Sequence, residues 1–192
     1  MATSTGGQKV SDVIINDHRE LSEYYNNIKN ATDPETKIQW QNQFTWELAR
    51  HSIGEELVVY PAMEKYMGDK GKEMAEKDRK EHRSVKEALY EFQSLQPTDQ
   101  SFESTLDKLM ADLDHHIREE EEHDLPALEK ALADAMPDEA SESLAKSFQR
   151  TKMFVPTRSH PSSPDRPPFE TVVGLMAAPL DKLGDLFRRF PK

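Results

Sequence analysis

Two stretches of the chain, HSIGEELVVYP (51–61) and HIREEEEHDLP (116–126), share one pattern. Each carries a histidine, a Glu-Glu pair beginning four residues later, and a proline ten residues later. A His and a Glu four apart lie on one face of an α-helix, one turn from each other. On an inward, apolar face such a pair is costly to bury unless something satisfies both groups. A cation does so, because it accepts imidazole nitrogen and carboxylate oxygen together. Two further histidines extend the pattern. His18, in NDHREL, precedes His51 by 33 residues, and His82, in KEHRSV, precedes His116 by 34. One plan is therefore stated twice: a His on one helix, then His-x-x-x-Glu-Glu on the next.

Four imidazoles with the carboxylates of Glu55 and Glu120 suit two metal ions bridged by those carboxylates. Mixed imidazole and carboxylate ligation without sulfur favours iron, manganese or zinc. Two bridged ions with an open position point to iron and dioxygen chemistry, although ligand type alone does not separate the metals. A single inward His is more often an ordinary core residue, and one HisxxxGlu pair is common by chance. The metal reading rests on all four long helices placing a His inward, with two adding Glu at the same offset.

Four helices must position these residues. Ile14, His18, Leu21, Tyr25 and Ile28 recur at three- and four-residue steps from Ser11 onward, a helical stripe with Ser11 as its N-cap. Thr32 and Glu35 offer a capping box for a second helix over 35–66. Its inner stripe is Trp40, Phe44, Leu48, His51, Glu55 and Val59. After a break at MGDKG (67–71), a third helix over 72–94 turns Ala75, His82, Val85, Leu89 and Phe92 inward. A fourth, over 101–135, turns in Leu106, Leu109, Leu113, His116 and Glu120. Pro61 and Pro126 should each kink or end their helices. Short loops between helices of this length give an all-α, up-and-down antiparallel four-helix bundle over 10–136. Residues 137–192 form an extension packed on it: a short helix to about Arg150, a Pro-rich strap (156–168) and an amphipathic helix (169–190). The Val172, Leu175, Met176, Leu180, Leu183, Leu186, Phe187 and Phe190 stripe is too apolar to leave in water.

Composition narrows the function. The net charge of −11 argues against nucleic acid, whose footprint is a basic patch. With no cysteine, the chain has no disulfide, thiolate zinc site, iron–sulfur cluster or Cys nucleophile. No signal peptide or apolar membrane span is present, so a soluble cytoplasmic protein is expected.

On His18, HSIGEELVVYP, His82 and HIREEEEHDLP, residues 10–135 resemble the hemerythrin-like, or HHE cation-binding, family. The resemblance implies a four-helix bundle holding two non-haem iron ions. His18, His51, His82 and His116 are then terminal ligands, and Glu55 and Glu120 bridges. Oxygen-carrying hemerythrins have a fifth His, four residues from another on the third helix. Here the residues four from His82 are Asp78 and Lys86. Their fourth helix uses an Asp five residues after its His, whereas here Glu120 follows His116 by four. These departures shift the expectation from reversible oxygen carriage toward binding of dioxygen, nitric oxide or peroxide by a sensor, store or detoxifier. The alternative is a di-iron oxidase or oxygenase acting on a small organic substrate. Glu56, Glu121, His123 and His160 are additional candidates near the site. Ferritin-like ligation needs two GluxxHis motifs; Glu120 with His123 supplies one, and the first two helices offer no counterpart, which argues against that plan.

Overall fold

A computed structural model describes residues 7–135, 139–161 and 169–192, with 169–176 described through the backbone alone. Every regular element among these is helical: α1 (Val10–Asn30), α2 (Pro34–Gly54), α3 (Tyr60–Phe92), α4 (Phe102–Glu119), α5 (Leu125–Ala135), α6 (Ala140–Lys152) and α7 (Phe169–Asp185). Two π-helical turns, Glu55–Val59 and Glu120–Asp124, join α2 to α3 and α4 to α5. Gly68, at φ 63°, breaks α3 within the MGDKG stretch. Its ψ of −136° completes a conformation that glycine adopts without a Cβ clash. The result is four rods: α1; α2 through the first part of α3; the rest of α3; and α4 through α5.

Each rod runs between two apolar clusters, and successive rods run in opposite directions. One cluster gathers Val13 and Ile14 from the first rod, Val59 and Met63 from the second, Ala75 from the third, and Leu128 and Leu132 from the fourth. The other gathers Leu21 and Ile28, Phe44 and Leu48, Val85, Leu89 and Phe92, and Leu106, Leu109 and Leu113. Each fully buried side chain of this kind contributes about 1.5–3 kcal/mol. The two clusters therefore hold the bundle from both ends. Between them lies one polar layer, where all four inward histidines sit.

The ends of the elements differ from the sequence expectation at three places. α1 begins at Val10, and Ser11 hydrogen-bonds Glu129 instead of capping. Asp33 rather than Thr32 caps α2, accepting from the Thr36 N–H at 2.8 Å, with Pro34 in the first turn. Pro61 and Pro126 neither end nor break their rods. A π-turn precedes each, and the proline falls in the first turn of the next α segment, where no N–H is needed.

α6 packs against α1, α2, α5 and the first π-turn. Gly54 makes that contact possible, since a Cβ there would meet the Phe148 ring at 2.8 Å. The strap then crosses the α2–α3 groove. Ser159 bonds Gln93 and the Lys86 carbonyl, and Arg158 bonds Asn42. Over its described side chains, α7 is held through its polar face. Asp181 accepts from the backbone N–H groups of Thr157 and Arg158 and pairs with His160 at 2.9 Å. Asp185 accepts from the Thr157 hydroxyl.

This orientation reverses the expectation for much of the apolar stripe. Leu180, Leu183, Leu186 and Phe187 are exposed, because the face carrying Asp181 and Asp185 is the one turned to the strap. Phe190 packs edge-on against Trp46. The side chains of Val172, Leu175 and Met176 lie outside the described residues, as do the start of the fifth predicted helix at Pro137 and strap residues 162–168.

The hydrogen bond to Asp181 raises the His160 pKa above its ordinary 6.5. The protonated imidazole therefore favours the docked strap at low pH, and that contribution fades as pH rises through the raised pKa. Amide exchange over 153–161, corrected for intrinsic rates, should be more protected at pH 6 than at pH 8. Asp181→Asn should remove the difference. Equal protection at both pH values in the wild type would mean that the ion pair does not hold the strap.

Candidate metal centre

His18, His51, His82 and His116 converge from the four rods, each no more than 2% exposed. Glu55 and Glu120 join them as the outermost residues of the two π-turns, also buried. His18 and His51 stand edge to face with ring centroids 4.9 Å apart, and His82 and His116 do likewise at 4.7 Å. Each helical hairpin thus supplies one histidine pair. Glu55 Oε2 lies 3.2 Å from His51 Nε2 and 3.3 Å from His82 Nε2, so it spans both pairs. Glu120 Oε2 lies 3.4 Å from His18 Nε2 and 3.8 Å from His116 Nε2, spanning them the other way.

These spacings suit metal ligands. Bonds of about 2.1 Å to one ion place neighbouring donor atoms roughly 3 Å apart. Four groups of potential ligands have atoms within 4.8 Å of one another, and two lie in this layer: His18 with His51 and Glu55, and His82 with His116 and Glu55. Glu55 is common to both. His18 Nε2, His51 Nε2 and all four oxygens of Glu55 and Glu120 lack a well-formed hydrogen bond within the protein. Six unsatisfied ligand atoms in one buried layer would cost several kcal/mol if nothing occupied the space between them.

The outward nitrogens are all engaged. His51 Nδ1 meets Asp17 at 3.2 Å, His116 Nδ1 meets Glu81 at 3.0 Å, His82 Nδ1 meets Glu56 at 3.1 Å and His18 Nδ1 meets Glu121 at 2.9 Å. An ionised carboxylate only accepts, so each Nδ1 donates and the Nε2 lone pair faces inward. The repeat extends to this outer ring. In both halves the acid preceding the first His serves the second His, and the acid following the bridging Glu serves the first His of the other half. Sequence reading singled out Glu56 and Glu121 as candidates, but not the partners of these four acids, which lie on other rods.

Lysines balance part of this ring. Lys86 pairs with Glu56, and Lys77 lies 3.7 Å from Glu81. Lys152, from α6, reaches past Phe148 to pair with both Asp17 and Glu47. Sequence reading missed Lys152, because no local spacing ties residue 152 to residue 17. The Tyr60 hydroxyl sits 2.9 Å from His82 Nε2. His115 and His123 are exposed and leave the site, so Glu120 and His123 do not act together as a ferritin-like motif. His160 belongs to the strap.

Proton positions follow from burial and charge. Burial opposes charge on His18, but Glu120 and Glu121 outweigh it and raise its pKa to about 9. Burial would likewise raise Glu120, yet His18 and His116 hold it down at about 2. Burial, with Glu120 adding, pushes Glu55 well up. Burial lowers His82 to about 4, with His116 reinforcing the shift against Glu56. Without a cation, the layer is therefore balanced by protons, on His18 and Glu55 above all.

Removing Lys152 should leave Asp17 buried without its lysine and Glu47 with Arg50 alone. Lys152→Met should then destabilise the fold by about 3 kcal/mol, read as a lower urea midpoint. Adding Glu47→Gln should recover part of the loss, and strict additivity of the two changes would refute the pairing.

The sequence model of the hemerythrin HHE cation-binding domain matches residues 9–128. An uncharacterised hemerythrin-like protein of Schizosaccharomyces pombe is 58% identical over 183 residues, covering 95% of this chain and 88% of the relative. A DNA nickase of Nostoc is 23% identical over 149 residues, covering 78% of this chain and 40% of the nickase. No solved structure matches at a significant level.

Proposed function

The chain belongs to the hemerythrin HHE cation-binding family, and on that premise we propose that it is a di-iron protein binding dioxygen, nitric oxide or peroxide. In this reading, residues 10–136 form the iron-binding bundle and 137–192 an extension that completes its shell. His18 and His51 would hold one ion and His82 and His116 the other, with Glu55 and Glu120 as the carboxylates between them. The observation that carries the proposal is the convergence of four Nε2 atoms on two carboxylates at ligand spacing, with His18 Nε2, His51 Nε2 and the four carboxylate oxygens left unsatisfied by the described residues. Neutral nitrogen and carboxylate oxygen suit iron, and manganese or zinc share the donor preference.

An iron pair, when bound, supplies redox and Lewis-acid chemistry toward a small ligand. The protein's own part is positional. Asp17, Glu81, Glu56 and Glu121 fix the imidazole tautomers and ring planes. The flanking apolar clusters keep water from the layer. Tyr60 presents a hydroxyl beside His82, where it can donate a hydrogen bond to a ligand entering there.

A second reading, an oxidase or oxygenase, draws on a different feature. Ala49, Ile53, Val85, Leu89 and Pro156 line an apolar pocket beside Lys86, whose partner Glu56 backs His82. Oxygen uptake that depends on an added apolar substrate would favour this reading; a reversible adduct without turnover favours binding.

Elemental analysis of the full chain after anaerobic ferrous loading should give two irons per chain. His51→Ala or His116→Ala should lower that number while helix content by circular dichroism stays near wild type. Glu55→Ala should weaken both ions, and His115→Ala neither. Iron uptake should release protons into a weakly buffered solution, because protons occupy His18 and Glu55 beforehand. Near-zero iron in the wild type would refute the proposal.

A further inference from the structure

The strap and the two helices it crosses share a pocket. Ala49 and Ile53, one turn apart, line it from α2, and Val85 and Leu89, one turn apart, from α3. Pro156 lines it from the strap. These five aliphatic side chains offer burial and no hydrogen bond. The rest of the lining is Ser52, Ser159 and three basic side chains, Lys86, Arg158 and His160. Among the described residues, no acid lines it.

The three basic groups are not equally matched. Lys86 pairs with Glu56, and His160 with Asp181. Arg158 is 6% exposed and donates to Asn42 at 2.7 Å, but it makes no salt bridge among the described residues. Its Nε has no hydrogen-bond partner there either. Asp181 and Asp185 stand near enough to favour its charge, yet both are committed elsewhere. Asp181 accepts from two strap N–H groups and pairs with His160. Asp185 accepts from the Thr157 hydroxyl and pairs with Arg188. Burial, with Arg188 adding, lowers the Arg158 pKa to about 10, so the guanidinium is still charged at neutral pH. A buried cation without a counter-ion is costly. Docking of the strap does not call for one, since the bond to Asn42 needs only a neutral donor.

We propose that this pocket binds a small aliphatic monocarboxylate, its chain against the α2 and α3 side chains and its carboxylate at Arg158. A planar guanidinium matches a carboxylate in shape as well as charge. One unmatched cation calls for one negative charge, which favours a carboxylate over a doubly charged phosphate. Aliphatic walls favour an alkyl chain over a ring. The inference goes beyond the iron reading and does not rest on it, since no candidate metal ligand takes part. The bound acid would sit beside Lys86, whose partner Glu56 backs His82.

The test titrates the full-length protein in a calorimeter with hexanoate and with hexanamide, its neutral analogue. The titrations are run on protein as purified and again after removal of metal. Hexanoate should bind saturably at one per chain in both. Hexanamide should bind about tenfold or more weakly, the worth of a hydrogen bond to a charged group. Arg158→Met, which keeps the aliphatic stem, should weaken hexanoate by a similar factor and leave hexanamide unchanged. Ala49→Leu, whose added carbons enter the pocket, should weaken both. Bound hexanoate should also raise amide protection over 156–160.

Neither saturable heat nor a change in protection with hexanoate would overturn the site. Equal affinity for hexanoate and hexanamide would leave a merely apolar pocket and overturn the carboxylate assignment. Hexanoate binding that disappears with the metal would put the acid on iron, and undiminished binding by Arg158→Met would put it away from the strap; either overturns the proposal. So would displacement of hexanoate by an equal concentration of inorganic phosphate. Should Arg158→Met loosen the strap, the comparison of the two ligands on the wild type still decides. The number of irons per chain does not enter, so this inference and the two-iron reading fail separately.

Discussion

A buried layer of imidazoles and carboxylates lies across the middle of an otherwise apolar bundle, and the rest of the structure is arranged around that cost. Glu55 and Glu120 are enclosed, and their oxygens find no hydrogen-bond donor of adequate geometry. Only a cation or bound protons can balance them. The two apolar clusters on either side supply the burial free energy that lets such a layer exist. They also exclude the water that would otherwise solvate it, so the same packing that holds the rods together keeps the inward donors available.

The layer is kept in order by charges placed one step further out. A carboxylate at each Nδ1 fixes the tautomer, and lysines neutralise part of the resulting ring. This arrangement is cooperative in a specific sense. Moving one carboxylate leaves an imidazole free to turn and a lysine without its partner, so an error outside the centre is passed to its donors. The π-turns belong to the same arrangement. At the first of them, the consecutive residues Glu55 and Glu56 are both buried, one facing the centre and one facing His82.

The extension is part of this shell as well as an addition to it. α6 lies beyond the residues matched by the family, yet its Phe148 packs on His51 and its Lys152 neutralises the acid behind that histidine. The strong match to the Schizosaccharomyces pombe relative extends over nearly the whole chain. α7 is attached differently, through Asp181 and Asp185, and its Leu180 and Leu183 face solvent.

The sequence by itself determined what repeats at short range. Helical phase puts His51 with Glu55 and His116 with Glu120 on one face, because residues four apart are neighbours whatever the rest of the chain does. The hydrophobic stripes and the break at Gly68 gave the four rods, and the absence of cysteine limited the donor set. Tertiary structure alone decided which acid serves which histidine, since Glu56 to His82 and Glu121 to His18 cross between rods. It also decided that Lys152 reaches Asp17, that Pro61 and Pro126 are absorbed by widened turns, and that α7 seats its polar face. Asp78 shows the division most plainly. Its spacing from His82 is legible in the sequence, but its lack of a hydrogen-bond partner among the described residues is not, because that is a property of every element packed around a residue.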